Sequence, residues 1–183
     1  MRLTLAFTLI AIANAAEAAP RPLSQVDYAG FQSLTGEVAA YRQDRLIGWD
    51  AFIRAANQPG TLMLDARSAE AFAAGHIAGA VNLPFTDFTA DSLKQLIGDA
   101  DRPILIYCNN NFVNNRAPVM LKMRPLALNI QTFINLVGYG YRNVYELGEA
   151  IDLNDPAVGW VKGEAAIQRA SAQERLLAQP SGR

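Results

Sequence analysis

Cysteine and histidine are almost missing from this chain of 183 residues, which has one of each, Cys108 and His76. A single cysteine excludes an internal disulfide. One cysteine and one histidine cannot build a usual zinc sphere without several carboxylates, so no metal is expected. Charge of one sign is also missing: 16 Lys+Arg stand against 17 Asp+Glu, a formal net charge of -1. That balance gives no electrostatic reason to expect a nucleic-acid partner. Tyr139, Tyr141 and Tyr145 have no basic cluster beside them, so they read as strand and edge packing rather than as base-stacking platforms. Neither a Gly-rich phosphate loop nor a dinucleotide fingerprint is present, and no cofactor is expected.

Long apolar runs are absent too. A membrane-spanning helix needs about 20 apolar residues, and no segment reaches that length. The longest run, Leu3 to Ala13, follows Arg2 and precedes two small-x-small sites, Ala13-Asn14-Ala15 and Ala16-Glu17-Ala18. This is the layout of a secretory signal peptide over residues 1–18, with cleavage after Ala18 and Ala15 as the second choice. The mature chain is then expected to be soluble and periplasmic or secreted, with no membrane insertion. What remains is long enough for one domain with a core of its own. Residues 19–44 read as an N-terminal extension, 45–163 as the domain and 164–183 as a terminal helix and tail.

What is present alternates between short apolar runs and helical patterns. Asp27 to Arg42 has helical spacing (Tyr28, Phe31, Leu34, Val38, Tyr41). Asp50 is a candidate cap for a helix to Asn57, and Ser68 caps a short helix that Gly75 ends. Asp91 to Ile97, Arg116 to Met123 and Ile130 to Val137 complete the predicted helices, with a break at Pro125. Strands are predicted at Arg45–Gly48, Thr61–Asp65, Ala80–Leu83, Ile104–Tyr107 and Asn143–Tyr145. Short buried strands alternating with helices predict an α/β domain with a parallel sheet covered on both faces. In such sheets ligands bind at the C-terminal edge of the strands. The run Ile104 to Tyr107 delivers Cys108 to that edge.

Cys108 opens the segment CNNNFVNNR, between a buried strand and the predicted Arg116 helix. Taken alone, a free cysteine is more often an inert core residue. Its place in a strand–loop–helix order argues for a site. Helix N-termini carry unpaired N–H groups and partial positive charge, and a tight loop can aim successive N–H groups at one centre. Both favour a thiolate. Five asparagines in the seven positions 109–115 suit such a loop, because asparagine tolerates left-handed backbone. Asn109, Asn110, Asn111, Phe112, Val113, Asn114, Asn115 and Arg116 are the candidate binding residues. Phe112 has two readings, a substrate wall or loop packing. Arg116 either reaches the pocket or points to solvent, and Lys122 and Arg124 are expected at the surface.

The segment LMLDARSAEAFAAGHIAGAVNLP, Leu62 to Pro84, closely resembles the first signature of the rhodanese-like family. Asp65, Arg67, Phe72, Gly75, His76, Ile77, Gly79, Ala80, Asn82 and Pro84 carry the match. The apolar strand ending in Cys108 and the segment GYRNVYEL, Gly140 to Leu147, follow in the family's order. The resemblance implies a central parallel five-stranded sheet flanked by helices, and sulfur transfer through a persulfide on Cys108. It implies that His76 is structural rather than a catalytic base. Asp65 and Arg67 line the pocket or organise the domain through a salt bridge. The chain departs from the family in three places. Val113 stands where an arginine is usual, the stretch between Cys108 and Gly140 is longer, and GEAIDLNDPAVGW replaces the usual Gly-Gly-x-x-x-Trp ending.

Three functions are therefore expected in descending order. The first is a periplasmic sulfurtransferase with a small sulfur donor and a thiol acceptor as partners. The second is a catalytically silent module that recognises an anion or a partner protein. The third is a phosphatase- or arsenate-reductase-like enzyme. Export has a direct check: N-terminal sequencing of protein recovered from the periplasm or medium is expected to begin at Ala19, and an intact Met1 would refute the signal peptide.

Overall fold

The computed structural model describes residues 24–162. The signal segment and the Glu164 to Leu177 helix predicted above lie outside those residues. Three four-residue strands and a two-residue strand at each edge make the sheet. β1 (Leu46–Ile47), β2 (Leu62–Asp65), β4 (Val81–Asn82), β5 (Ile104–Tyr107) and β6 (Val144–Leu147) are all parallel, in the order β1-β6-β5-β2-β4. β5 is central. Every residue of β2 and β5 is buried, as expected of strands covered on both faces.

Side chains alternate between the two faces with the strand period of two. Leu62, Leu64, Ile104 and Ile106 point toward one core with Leu93, Ile97, Phe133 and Leu136. Met63, Leu105 and Tyr107 join the other, with Phe52, Ile77, Phe112 and Val158. Each fully buried large apolar side chain contributes roughly 1.5–3 kcal/mol, so the alternation sets the register as well as the stability. Three helices serve the first face: α1 (Tyr28–Tyr41), α4 (Ala90–Ile97) and α5 (Leu128–Gly138). α2 (Trp49–Ala56) serves the second. α3 (Ala69–Ala74) is the short helix predicted after Ser68, whose hydroxyl accepts from the Ala71 N–H, and it ends at Gly75.

Two helix predictions need correction. Asp50 does not cap α2. The helix starts at Trp49 after Gly48, which has no side-chain cap, and the Trp49 N–H is met instead by Glu149 Oε2 at 2.8 Å. Arg116 to Met123 is not helical. Pro118 and Pro125 leave too few residues between them for a stable helix, and side-chain amides take up the backbone groups that a helix would use. Asn109 Nδ2 donates to the Met120 carbonyl and Asn110 Nδ2 to the Lys122 carbonyl. Asn110 Oδ1 accepts from the Lys122 N–H and Asn115 Oδ1 from the Leu121 N–H. The segment is thus pinned back across 109–115 by asparagines imitating backbone.

A second, antiparallel pair closes the domain: β3 (His76–Ile77) against β7 (Trp160–Val161). Gly75 lies directly under the Trp160 ring, and a Cβ there would collide with the indole. The Arg67 guanidinium stacks 5.5 Å from the same ring. Gly75→Ala is expected to cost roughly 1–3 kcal/mol by overpacking. It should appear as a lower urea midpoint at unchanged slope, and an unchanged midpoint would show that Trp160 moves aside freely.

Candidate functional site

β5 ends at the C-terminal edge of the sheet and places Cys108 there. Asn109–Asn111 follow as a single 3-10 turn, with Cys108 at its cap position. The backbone N–H of Asn111 donates to the Cys108 carbonyl at 3.0 Å. The N–H groups directed at the sulfur are those of Asn110, Leu128 and Asn129. Leu128 and Asn129 are the first residues of α5, and Ala127 before them offers no side-chain acceptor. The sulfur occupies the place of a helix cap and takes the N–H groups that a helix start leaves unpaired. The donors come from the first turn after the cysteine and from a helix twenty residues on, not from a helix at Arg116.

The asparagines also work differently from expectation. No non-glycine residue among those described has positive φ, so left-handed tolerance explains none of them. Their side chains explain them. Asn111 Oδ1 accepts from the Cys108 N–H and from Asn129 Nδ2, both at 2.9 Å. Asn111 Nδ2 donates to the Leu147 carbonyl at 2.7 Å and to that of Glu149 at 3.2 Å. One buried amide therefore ties the cysteine turn to α5 and to the end of β6. Asn129 Nδ2 also reaches Glu146 Oε1 at 3.2 Å. Glu146, on β6, is buried and held by a two-pronged pair with Arg42, which follows α1: Nη2 meets Oε1 at 2.8 Å and Nε meets Oε2.

Two opposing influences act on the thiol. Burial, which leaves Cys108 1% exposed, is the stronger and pushes the thiol pKa up. The N–H groups of Asn129, Asn110 and Leu128 pull it down, and the Glu146 carboxylate pushes it up again; the net shift is upward. The resting form at neutral pH is the thiol, not the thiolate the cradle alone would favour.

The sulfur faces a cavity of about 670 Å³. Asn110, Asn111 and Phe112 line it beside Cys108, with Asn129 and Phe133 of α5 and Glu146 of β6. A smaller cavity of about 230 Å³ has Asn109, Asn110, Arg67 and Lys122 in its wall. The remaining candidates lie on neither. Val113 is exposed and bonds Ile151 through its backbone. Asn114 bonds Asp152 and the Leu153 N–H, Asn115 bonds the Leu121 N–H, and Arg116 Nη2 bonds Asn154 Oδ1 at 2.7 Å. Phe112 is buried, edge-on to Tyr107 and Trp160, and lines the large cavity as well, so it both packs the loop and walls the site.

Asp65 and Arg67 form a buried ion pair at 2.6 Å. The Tyr107 hydroxyl donates to Asp65 at 2.7 Å, and Arg67 reaches the Gly75 carbonyl at 2.7 Å. They fasten strand ends to the β3–β7 pair. His76 stacks on Phe72 with ring centroids 3.7 Å apart, and its Nδ1 bonds the Phe72 carbonyl at 2.8 Å. Arg42, Asn129 and Glu146 were not predicted. Of these, Glu146 lies one position past the strand predicted at Asn143–Tyr145 and within the observed one. Among the described residues, no group of three or more His, Cys, Asp or Glu could hold a metal ion.

The chain is thus a parallel α/β sheet with one cysteine set between a strand end and a helix start. A family model described as Rhodanese-like domain matches residues 49–152, more than half of the chain; the chain belongs to the rhodanese-like family. Among solved structures, the Alr3790 protein from Anabaena sp. is 20% identical, covering 62% of this chain and 88% of that chain, at a TM-score of 0.40. The BH2092 protein from Bacillus halodurans is 19% identical, covering 63% of this chain and 74% of that chain, at 0.38. No curated protein matches the chain.

Glu146→Gln removes a charge that opposes thiolate formation, so the thiol pKa should fall. The rate of Cys108 alkylation by neutral iodoacetamide is expected to rise severalfold at neutral pH, with its pH profile moved to lower pH. A profile that stays in place would show that Glu146 is too well neutralised by Arg42 to act on the sulfur.

Proposed function

We propose that this protein is a periplasmic or secreted sulfurtransferase that carries sulfane sulfur as a persulfide on Cys108. The observation behind this reading is the convergence of three backbone N–H groups on one sulfur set in a cavity wall. The chemistry is balanced without a cofactor. Cys108 loses its proton to solvent, and its thiolate attacks the outer sulfur of a donor. A new S–S bond forms, and the donor's old bond breaks with its electron pair leaving on the product anion. An acceptor thiolate then attacks the outer sulfur and releases Cys108. A persulfide is more acidic than the thiol it replaces, so the cradle holds an anion in the loaded state even though burial keeps the resting thiol protonated. Oriented N–H groups in a water-poor site stabilise such a charge strongly.

Two features favour a silent binding module as the second reading. The thiol is almost sealed, and the segment folded over the loop exposes Met120, Met123 and Leu126, the second at 71%. Phosphate or arsenate chemistry is less well supported, because Arg116, the first cation after Cys108 in the chain, is engaged with Asn154. Mass spectrometry decides between the first two. Treatment with several sulfane-sulfur donors is expected to add one sulfur to Cys108 and none to Cys108→Ser. If no donor leaves an adduct and Cys108→Ser keeps full function in cells, the binding module stands instead.

A further inference from the structure

The large cavity reaches beyond the part of the chain that the family model matches. One of its walls is the N-terminal extension: Thr35, Val38 and Ala39 of α1 and Arg42 just after it all line it. Those positions fall at i, i+3, i+4 and i+7, the spacing of one helix face. Ile130 and Phe133 of α5 stand across from them in the same lining. The volume, about 670 Å³, lies within the roughly 300–1,000 Å³ of small-molecule sites and far exceeds the need of a small inorganic oxyanion. Polar groups gather near the sulfur, namely Asn110, Asn111, Asn129 and the Arg42–Glu146 pair. An apolar body with a few convergent polar groups at one end is the usual make-up of a ligand pocket.

The charges on the lining are unequal. Arg42, Lys122 and Arg124 face the cavity against Glu146 alone. Arg42 gives Nε and Nη2 to Glu146, and among the described residues no acceptor meets its Nη1. Lys122 and Arg124 are exposed at the mouth. The site therefore favours negative charge beside apolar surface.

We infer that α1 completes, next to Cys108, a binding pocket for an organic anion with an apolar body. Resting on the sulfurtransferase reading, such an anion is the sulfur donor, of the thiosulfonate class. The Cys108 thiolate bonds to the terminal sulfur of R–SO2–S⁻, the bond between that sulfur and the sulfonyl sulfur breaks, and the sulfinate R–SO2⁻ departs with the electron pair. Total charge is the same on both sides, and no other reactant is needed. The apolar group R lies between α1 and α5.

The experiment has a binding arm and a reaction arm, both on the full chain. Calorimetry on Cys108→Ser is expected to show saturable binding of benzenethiosulfonate, with inorganic thiosulfate weaker by roughly tenfold or more, about 1.4 kcal/mol. Ala39→Trp, at an exposed position on the cavity wall, should remove that binding while circular dichroism shows the fold intact. The pocket is refuted if benzenethiosulfonate does not bind, if thiosulfate binds as tightly, or if a folded Ala39→Trp binds unchanged. The comparison of the two probes decides the matter even should Ala39→Trp unfold. In the reaction arm the wild-type protein is treated with each donor. Binding as expected with no persulfide from any donor would sink the sulfurtransferase reading and leave the pocket. Persulfide forming equally well from both donors and in Ala39→Trp would sink the pocket and leave the sulfurtransferase.

Discussion

The side chain of Asn111 is the joint on which this site depends. Its amide oxygen receives the Cys108 N–H and the Asn129 side chain, and its amide nitrogen reaches two carbonyls just beyond Glu146. Cysteine turn, helix and strand are thereby locked at one point. A buried amide with its groups paired is stabilising, whereas an orphaned buried partner costs about 1–3 kcal/mol. A shorter or differently branched side chain leaves several such orphans at once. The same amide sets the distance between the sulfur and the first turn of α5, so it controls the electrostatics of the thiol without touching it.

The thiol is held between opposing demands. Burial and a neighbouring carboxylate favour the neutral form, and three N–H groups favour the anion. A resting thiol that is neutral and almost fully covered resists indiscriminate oxidation, since the thiolate is the reactive species. The cost is slower attack, which a bound partner that excludes water and supplies complementary charge can offset. Arg42 has a part in this balance, because by pairing with Glu146 it keeps a buried carboxylate from standing alone beside the sulfur.

Much of the architecture was legible in the sequence, since it follows from local patterns. The strand Ile104–Tyr107 reads directly from four apolar residues after a proline, and Ser68 and Gly75 bound their helix as their chemistry dictates. The position of Cys108 at the sheet edge followed from alternation of strands and helices. The failures concern pairings between distant residues. Arg116 to Met123 has helical apolar spacing, but its backbone groups are taken by asparagine side chains that no periodicity measures. The cradle's second half comes from α5, and nothing in CNNNFVNNR announces that residue 128 will return to the cysteine. Arg42 and Glu146 are 104 positions apart, so their pairing is invisible until the sheet order is known.

That sheet order carries a consequence for how the molecule comes into being. Among the described residues β1 has a single neighbour, β6, and β3 pairs only with β7. The earliest strand must wait for one of the latest, and the Arg67 side chain finds its indole cover only when Trp160 arrives. Such distant pairings bear their loop-closure entropy before any contact repays it. A growing polypeptide of this topology stays open, with its cysteine uncovered, until nearly the whole domain has emerged; closure of the sheet and concealment of the sulfur are then one event.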